Sequence, residues 1–371
     1  MKTSSASSAR DMQLLSKLMF QGYAADVSTL KENLDELRGE FDEVFGMSEE
    51  RFGKFLKLAD THHVTMRVLR VLEKAAAQCQ KVRMQQWCEL ASKAEGVRIT
   101  NAVEWLRVIV HSLQDSGCQV SVIKSLDHWP DLGSDLDLYT SGAPERVTQV
   151  MQQKLRAEME PRSWGDKLAG KWNFQVPGLN ELVEIHVRYL GQTGEQKLLA
   201  ERVIERRVTK QVNGIDFPVP APEERIMIST LQRMYRHFYF RLCDMADVAA
   251  LLGTGTLNFQ ELRRGAELGG IWPGVASFLV IVSNYVNSFG GSVSLPREVT
   301  DHASSADLQV QFRGNFLRVP MKPAAGLYGS QLLSAGKHGD LRAISRLPLL
   351  PPLAVSALVA FRLTGSDKGV W

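Results

Sequence analysis

The chain has 371 residues, 44% of them hydrophobic and 23% charged, which allows two or three domains with a sizeable core and places it among soluble globular proteins. A formal charge of +3 and an isoelectric point near 8.6 suit anionic substrates but are too weak to argue for nucleic acid alone. The four cysteines (Cys79, Cys88, Cys118, Cys243) are scattered without a CxxC pair, so neither a zinc site nor a disulfide framework is expected, and reduced thiols are the simpler reading. The opening MKTSSASSARDMQLL lacks the apolar core of a signal peptide, and no stretch is apolar over about 18 residues, so a cytoplasmic protein without a spanning helix is expected.

In chain order, residues 10–95 read as helical. KLMFQGYAADVSTLKENLDELRGEF and RFGKFLKLADTHHVTMRVLRVLEKAAAQ carry apolar residues at three- and four-residue spacing and no proline. TNAVEWLRVIVHSLQDSG reads as a further amphipathic helix, with Thr100 as N-cap and Gly117 as stop. CQVSVIK is a short β-branched strand, DLDLYT another, and a helix is expected from Pro144 to Met159. KWNFQV and ELVEIHVRYL read as one hairpin, and VTKQV and IDFPV as a second around Asn213-Gly214. From Pro222 onward the pattern is helical again. The expected architecture is α+β: helices over 1–96, a small mixed α/β core over 97–220, and a helical domain over 221–371.

The functional signal is centred on GSDLDLYT. Residues i and i+2 of a strand share a face, so Asp135 and Asp137 point one way and Leu136 and Leu138 the other. Aspartate is depleted from strands, and two ionised carboxylates so close need a positive charge between them. A divalent cation with hard oxygen ligands meets that need; a solvated outer face on an edge strand is the plainer alternative. ELVEIHVRYL supplies Glu184, His186 and Arg188 on one face of another strand. Three carboxylates from two strands suit two-metal phosphoryl transfer, and His186 could orient a carboxylate or the nucleophile or simply pack across strands. Lys124 and Ser125 end the preceding strand, where backbone N–H groups, a hydroxyl and an ammonium suit phosphate oxygens. His62-His63 lacks ligand spacing and reads as helix packing or capping. His237, Arg241, Asp244 and Asp247, at spacings of four, three and three, fall on one face of a helix, where Arg241 and Asp244 would form a surface pair.

Strand, turn, about ten residues, SDhDh and a later strand acid together resemble the polymerase-beta-type nucleotidyltransferase superfamily. The ordered series KLADTHHV, EWLRVIVHSLQDSGCQVSVIKS, DLDLYT, VEIHVRY, PAPEER and RHFYFRLCDMADVAALL is similar to its bacterial branch of uncharacterised nucleotidyltransferases, over roughly residues 50–290. The resemblance implies transfer of a nucleoside monophosphate from a nucleoside triphosphate such as ATP to an acceptor hydroxyl or phosphate, with Mg²⁺ or Mn²⁺. It implies Asp135, Asp137 and Glu184 as catalytic metal ligands, and Lys124, Ser125, Ser134, His186, Arg188 and Arg241 around the nucleotide, with Asp244 holding the Arg241 guanidinium. Two departures stand out: the family's Lys-Gly is Lys124-Ser125 here, and an arginine often found ahead of the aspartates is missing between Lys124 and Asp135. The alternative is a non-catalytic nucleotide sensor or scaffold of the same fold. The low net charge favours a small-molecule or protein acceptor over long nucleic acid. The apolar LPLLPPLAVSALVAFRL could pack on the domain, meet a partner protein or touch a membrane peripherally.

Overall fold

The computed structural model describes residues 2–22, 35–303, 308–319 and 321–364. Helix α1 (Lys2–Lys17) runs into a π-turn (Leu18–Gly22), and α2 (Arg38–Phe45), α3 (Glu49–Thr61), α4 (Thr65–Gln78) and α5 (Val82–Gln114) follow. Part of the first helical stretch read from the sequence, 23–34, lies outside the described residues. α3 and α4 are separate helices because the chain turns at His62–His63, with His63 at φ +51°. Thr100 is no N-cap: it sits inside α5, which is continuous across 96 and 97. Met84 and Cys88 at one end of α5 join the helical core, and Ile99 to Leu113 at the other join the sheet core, so packing on both sides overrides the local start signal.

A five-stranded sheet has the order β1-β2-β5-β4-β3, with β1 (Val120–Val122), β2 (Asp135–Thr140), β3 (Glu158–Met159), β4 (Lys171–Gln175) and β5 (Leu182–Val187). β2 and β5 run parallel and the other pairs antiparallel. α6 (Pro144–Gln149) continues as a π-turn to Lys154 and stops, five residues short of the expected Met159, because Met159 belongs to β3. α7 (Trp164–Ala169) precedes β4, and α8 (Lys197–Glu205) precedes the second hairpin, β6 (Arg207–Val212) with β7 (Ile215–Pro220). Asn213 at φ +50° and Gly214 at φ +76° supply the left-handed pair that a two-residue turn demands.

The chain then forms α9 (Pro222–Gln232), β8 (Tyr239–Phe240), α10 (Leu242–Gly253), α11 (Phe259–Leu268), α12 (Trp272–Ser288) and α13 (Arg297–Thr300). β9 (Gln311–Arg313), β10 (Phe316–Arg318), α14 (Met321–His338), α15 (Leu341–Arg346) and α16 (Leu350–Thr364) complete it. The three-stranded sheet β8-β10-β9 was not expected; it pairs Tyr239 and Phe240 with residues almost 80 positions away. Among the described residues no helix is long and apolar enough to cross a membrane.

Among the described residues, apolar burial falls into two principal cores. One packs α5 on the sheet through Leu106, Ile109, Leu136, Leu138, Phe174 and Ile185. The other joins helices from both ends of the chain, with Leu15, Phe55 and Leu72 against Phe240, Phe278 and Val282. The site lies between them.

Candidate active site

Alternation along β2 does what its sequence implies. Leu136 and Leu138 are fully buried in the sheet core, while Asp135 and Asp137 turn the other way and line a cavity of about 180 Å³. The parallel register sets Asp137 directly beside Glu184 of β5, and Glu184 lines the same cavity. Lys124, in the left-handed region at φ +59°, ends the β1 segment and reaches across, its Nζ bonded to Asp137 and 3.7 Å from Glu184 Oε1. Glu184 is held further by Lys171 Nζ at 2.9 Å and by His186 Nε2, which donates to Oε1 at 2.8 Å; Lys171 also pairs with Asp166 at 2.9 Å.

These contacts set the protonation. Burial, then the Glu184 charge, pushes Asp135 up from the ordinary carboxylate range. Burial pushes Asp137 up to about 6, against the pull of Lys124. Burial works against ionisation of Glu184 too, yet Lys124, His186 and Lys171 together hold it well below that range. Burial lowers His186 to about 4, so its ring is neutral and its donated proton orients Glu184.

Facing the acids is a basic wall that the sequence reading placed only in part. The expected single helix from His237 to Asp247 is broken: α9 ends in a π-turn (Arg233–His237), Phe238 takes φ +54°, and β8 intervenes before α10. The break aims Arg233, Arg236, His237, Tyr239 and Arg241 into the cavity. Asp244 does not hold the Arg241 guanidinium. Its Oδ2 accepts from the Arg241 backbone N–H at 2.7 Å, capping α10, and lies 2.8 Å from Arg233 Nε. Arg233 is therefore ion-paired with Asp244, while Arg241 has no carboxylate partner among the described residues; Arg233 Nη1 and Arg241 Nε are both buried without a hydrogen-bond partner there. Arg233, Arg236 and Gln232 were missed because only the turn at Phe238 makes them neighbours of the aspartates.

Three further expectations need correction. Ser125 lines the cavity, but its hydroxyl accepts from Asp137 N at 2.7 Å and donates to Asp135 O at 3.2 Å, tying down the start of β2 instead of remaining free for phosphate. Arg188 is exposed just past β5 and lies off the cavity, because it takes φ +67° as the strand ends. His186 and Asp244 are buried behind the wall and touch its residues rather than the space itself. Ser134 does reach the cavity, exposed at its rim.

The loop carrying Gly133 and Ser134 is clamped from behind. Arg67 of α4, 3% exposed, lies 3.0 Å from Asp131 and 2.8 Å from Asp247, and donates to His128 O at 2.5 Å. Asp131 also accepts from Met66 N at 2.5 Å, capping a helix whose own N-cap, Val64, has no acceptor. His62 fulfils the capping expectation: buried, it accepts from Leu242 N at 3.0 Å through Nδ1 and meets Asn315 O at 2.9 Å through Nε2. Its neighbour His63 instead lines the cavity, beside His128.

The acidic wall fits a divalent cation. Its donors are hard carboxylate oxygens, two of them raised above their ordinary pKa chiefly by burial, and the Lys124 ammonium already lies between Asp137 and Glu184. Asp137, Glu184 and His186 bring donor atoms within 4.8 Å of one another.

A structure of an antigenic nucleotidyltransferase-like protein from Paracoccidioides brasiliensis is similar to 52% of this chain and 94% of its own, at 16% identity and a TM-score of 0.34. A search of curated proteins finds no match. The family model for uncharacterised nucleotidyltransferases matches residues 48–287, a span that contains both walls of the cavity. The chain belongs to the uncharacterised nucleotidyltransferase family.

Proposed function

We propose that the protein is a metal-dependent nucleotidyltransferase, moving a nucleoside monophosphate from a nucleoside triphosphate to an acceptor hydroxyl or phosphate. The observation that carries this reading is one cavity with Asp135, Asp137 and Glu184 on one wall and Arg233, Arg236 and Arg241 on the other. Such a cavity separates the charges that phosphoryl transfer needs, oxygens for metal on one side and cations for phosphate on the other. Asp135, Asp137 and Glu184 would hold a divalent cation, which would supply acceptor activation and charge neutralisation at the leaving group. Arg241, with its unpartnered Nε, and Arg236 hold the triphosphate. The acceptor oxygen forms a bond to the α-phosphorus, the α–β bridging bond breaks, and pyrophosphate leaves. The acceptor proton passes to the acidic wall of Asp135, Asp137 and Glu184. The modest net charge favours a small molecule or protein side chain as acceptor. The last helix, with Val355, Val359 and Leu363 exposed four residues apart, gives a partner protein or a membrane surface a place to rest.

Pyrophosphate release from each nucleoside triphosphate with Mg²⁺ or Mn²⁺, with cell extract as acceptor, tests the proposal. Release by the wild type and not by Asp135→Ala/Asp137→Ala is expected; nucleotide binding with no release by either protein refutes transfer. That second outcome belongs to a nucleotide sensor or scaffold, the reading favoured by Lys124 bridging the acids and by the committed Ser125 hydroxyl.

A further inference from the structure

The cavity has a third set of groups that nucleotidyl transfer does not use. His63 follows α3, His128 lies in the loop before β2, and Cys243 begins α10; 180 residues separate the first from the last. One donor atom from each lies within 4.8 Å of the other two. Cys243 Sγ is 3.8 Å from His128 Nε2. Two ligands of a tetrahedral zinc ion, bound at about 2.0–2.1 Å for nitrogen and 2.3 Å for sulfur, stand roughly 3.3–3.8 Å apart, so this edge already has the span of a metal site.

The surroundings are those of a prepared ligand set. His128 donates through Nδ1 to Asp247, which leaves the Nε2 lone pair facing Cys243 when the ring is neutral. Asp247 is itself fixed by Arg67 at 2.8 Å. This carboxylate–imidazole arrangement orients a metal-ligating histidine and raises its basicity. His63 Nδ1 is buried and has no hydrogen-bond partner among the described residues. A side chain on Gly133 would press on the His63 ring, with an added Cβ 2.9 Å from Cε1, so the glycine leaves the ring its place. His63 and His128 line the cavity whereas Cys243 lies behind it, which puts an open fourth position on the cavity side.

We propose that His63, His128 and Cys243 bind a borderline-soft divalent transition metal of the Zn²⁺ class, with a fourth ligand taken from water or from a substrate phosphate oxygen. Binding releases to solvent the Cys243 thiol proton and the His128 Nε2 proton, which Cys243 and Asp247 hold on the ring in the metal-free protein. The two-nitrogen, one-sulfur donor set separates this site from the carboxylate oxygens of Asp135, Asp137 and Glu184, which suit Mg²⁺ or Mn²⁺. The proposal stands independently of nucleotidyl transfer.

Cobalt(II) substitution tests it. Chelator-treated protein in excess Mg²⁺ is titrated with Co²⁺ and followed by absorbance. One equivalent with a thiolate-to-cobalt charge-transfer band in the near ultraviolet is expected, and Zn²⁺ should abolish the band. Cys79→Ser, which removes the exposed thiol, should keep it, while Cys243→Ser should lose it with the circular dichroism unchanged. If Cys243→Ser fails to fold, His63→Gln decides, with an expected loss of at least tenfold in Co²⁺ affinity; Asp247→Asn should cost about 10–100-fold. No band in the wild type, or a band that survives Cys243→Ser or leaves His63→Gln at wild-type affinity, overturns the assignment. In that case His128 is a buried bridge between Asp247 and Cys243.

Discussion

Replacing Arg67 with methionine tests the clamp behind the cavity. Arg67 is 3% exposed, and its guanidinium compensates Asp131 and Asp247, which are buried with it. Methionine has similar length but leaves Asp131 without its cation and Asp247 with His128 alone, and breaking a buried pair in this way costs about 3–5 kcal/mol. The loss should depend on pH. Burial already pushes Asp131 up to about 7, against the pull of Arg67. A carboxyl whose folded pKa is raised favours the fold at low pH, and that contribution disappears as pH rises through the folded value. Without Arg67 the folded value climbs further; once it passes 8 the carboxyl stays protonated at pH 8, so this effect adds up to about 1.4 kcal/mol of loss there and none at pH 5. Urea denaturation followed by tryptophan fluorescence at both pH values measures the difference. A deficit under about 1 kcal/mol at pH 8, or one that grows as pH falls, would refute the clamp.

Arg241 and Arg233 should separate cleanly. Arg241→Met removes a charge-assisted bond of about 1.5–3 kcal/mol to phosphate and should weaken triphosphate binding roughly 10–100-fold with little change in Tm, as read by calorimetric titration and thermal melts. Arg233→Met strands the buried Asp244 and should cost about 3–5 kcal/mol of stability; equal Tm values for the two variants would contradict this division. Asp137, raised by burial to about 6, favours the fold at low pH and loses that contribution as pH rises through this value. In metal-free buffer Asp137→Asn should flatten the stability profile between pH 4 and 7, and an unchanged slope would count against the raised pKa. Wild-type Mg²⁺ affinity should climb through the same interval, because the metal displaces the proton.

What the sequence made legible follows from local periodicity. Two-residue alternation exposed Asp135, Asp137 and Glu184, and Asn213-Gly214 marked its hairpin, because each signal is complete within a few residues. The basic wall was hidden because its decisive event is Phe238 in a left-handed conformation, which bulky residues rarely adopt and no glycine or proline announces. Thr100 looked like a start because nothing near it announces that the helix already runs from Val82, held there by Met84 and Cys88 in the other core. Ser125 could not be assigned because its partner is the backbone of a strand ten residues on. His63, His128 and Cys243 escaped cysteine-spacing arguments because only the folded chain brings them together.

The two apolar cores also set the order in which the chain becomes self-sufficient. The sheet core draws on residues from Ile99 to Val219 and is complete once that stretch exists. The helical core needs Met12 to Cys88 and also Phe240, Phe278 and their neighbours. At ribosomal speeds of about 5–20 residues per second, the 152 residues between Cys88 and Phe240 take roughly 8–30 s to synthesise. Through that interval Leu15, Phe55 and Leu72 lack their mates, and nascent chains stalled before residue 240 should recruit chaperones that the finished protein no longer needs.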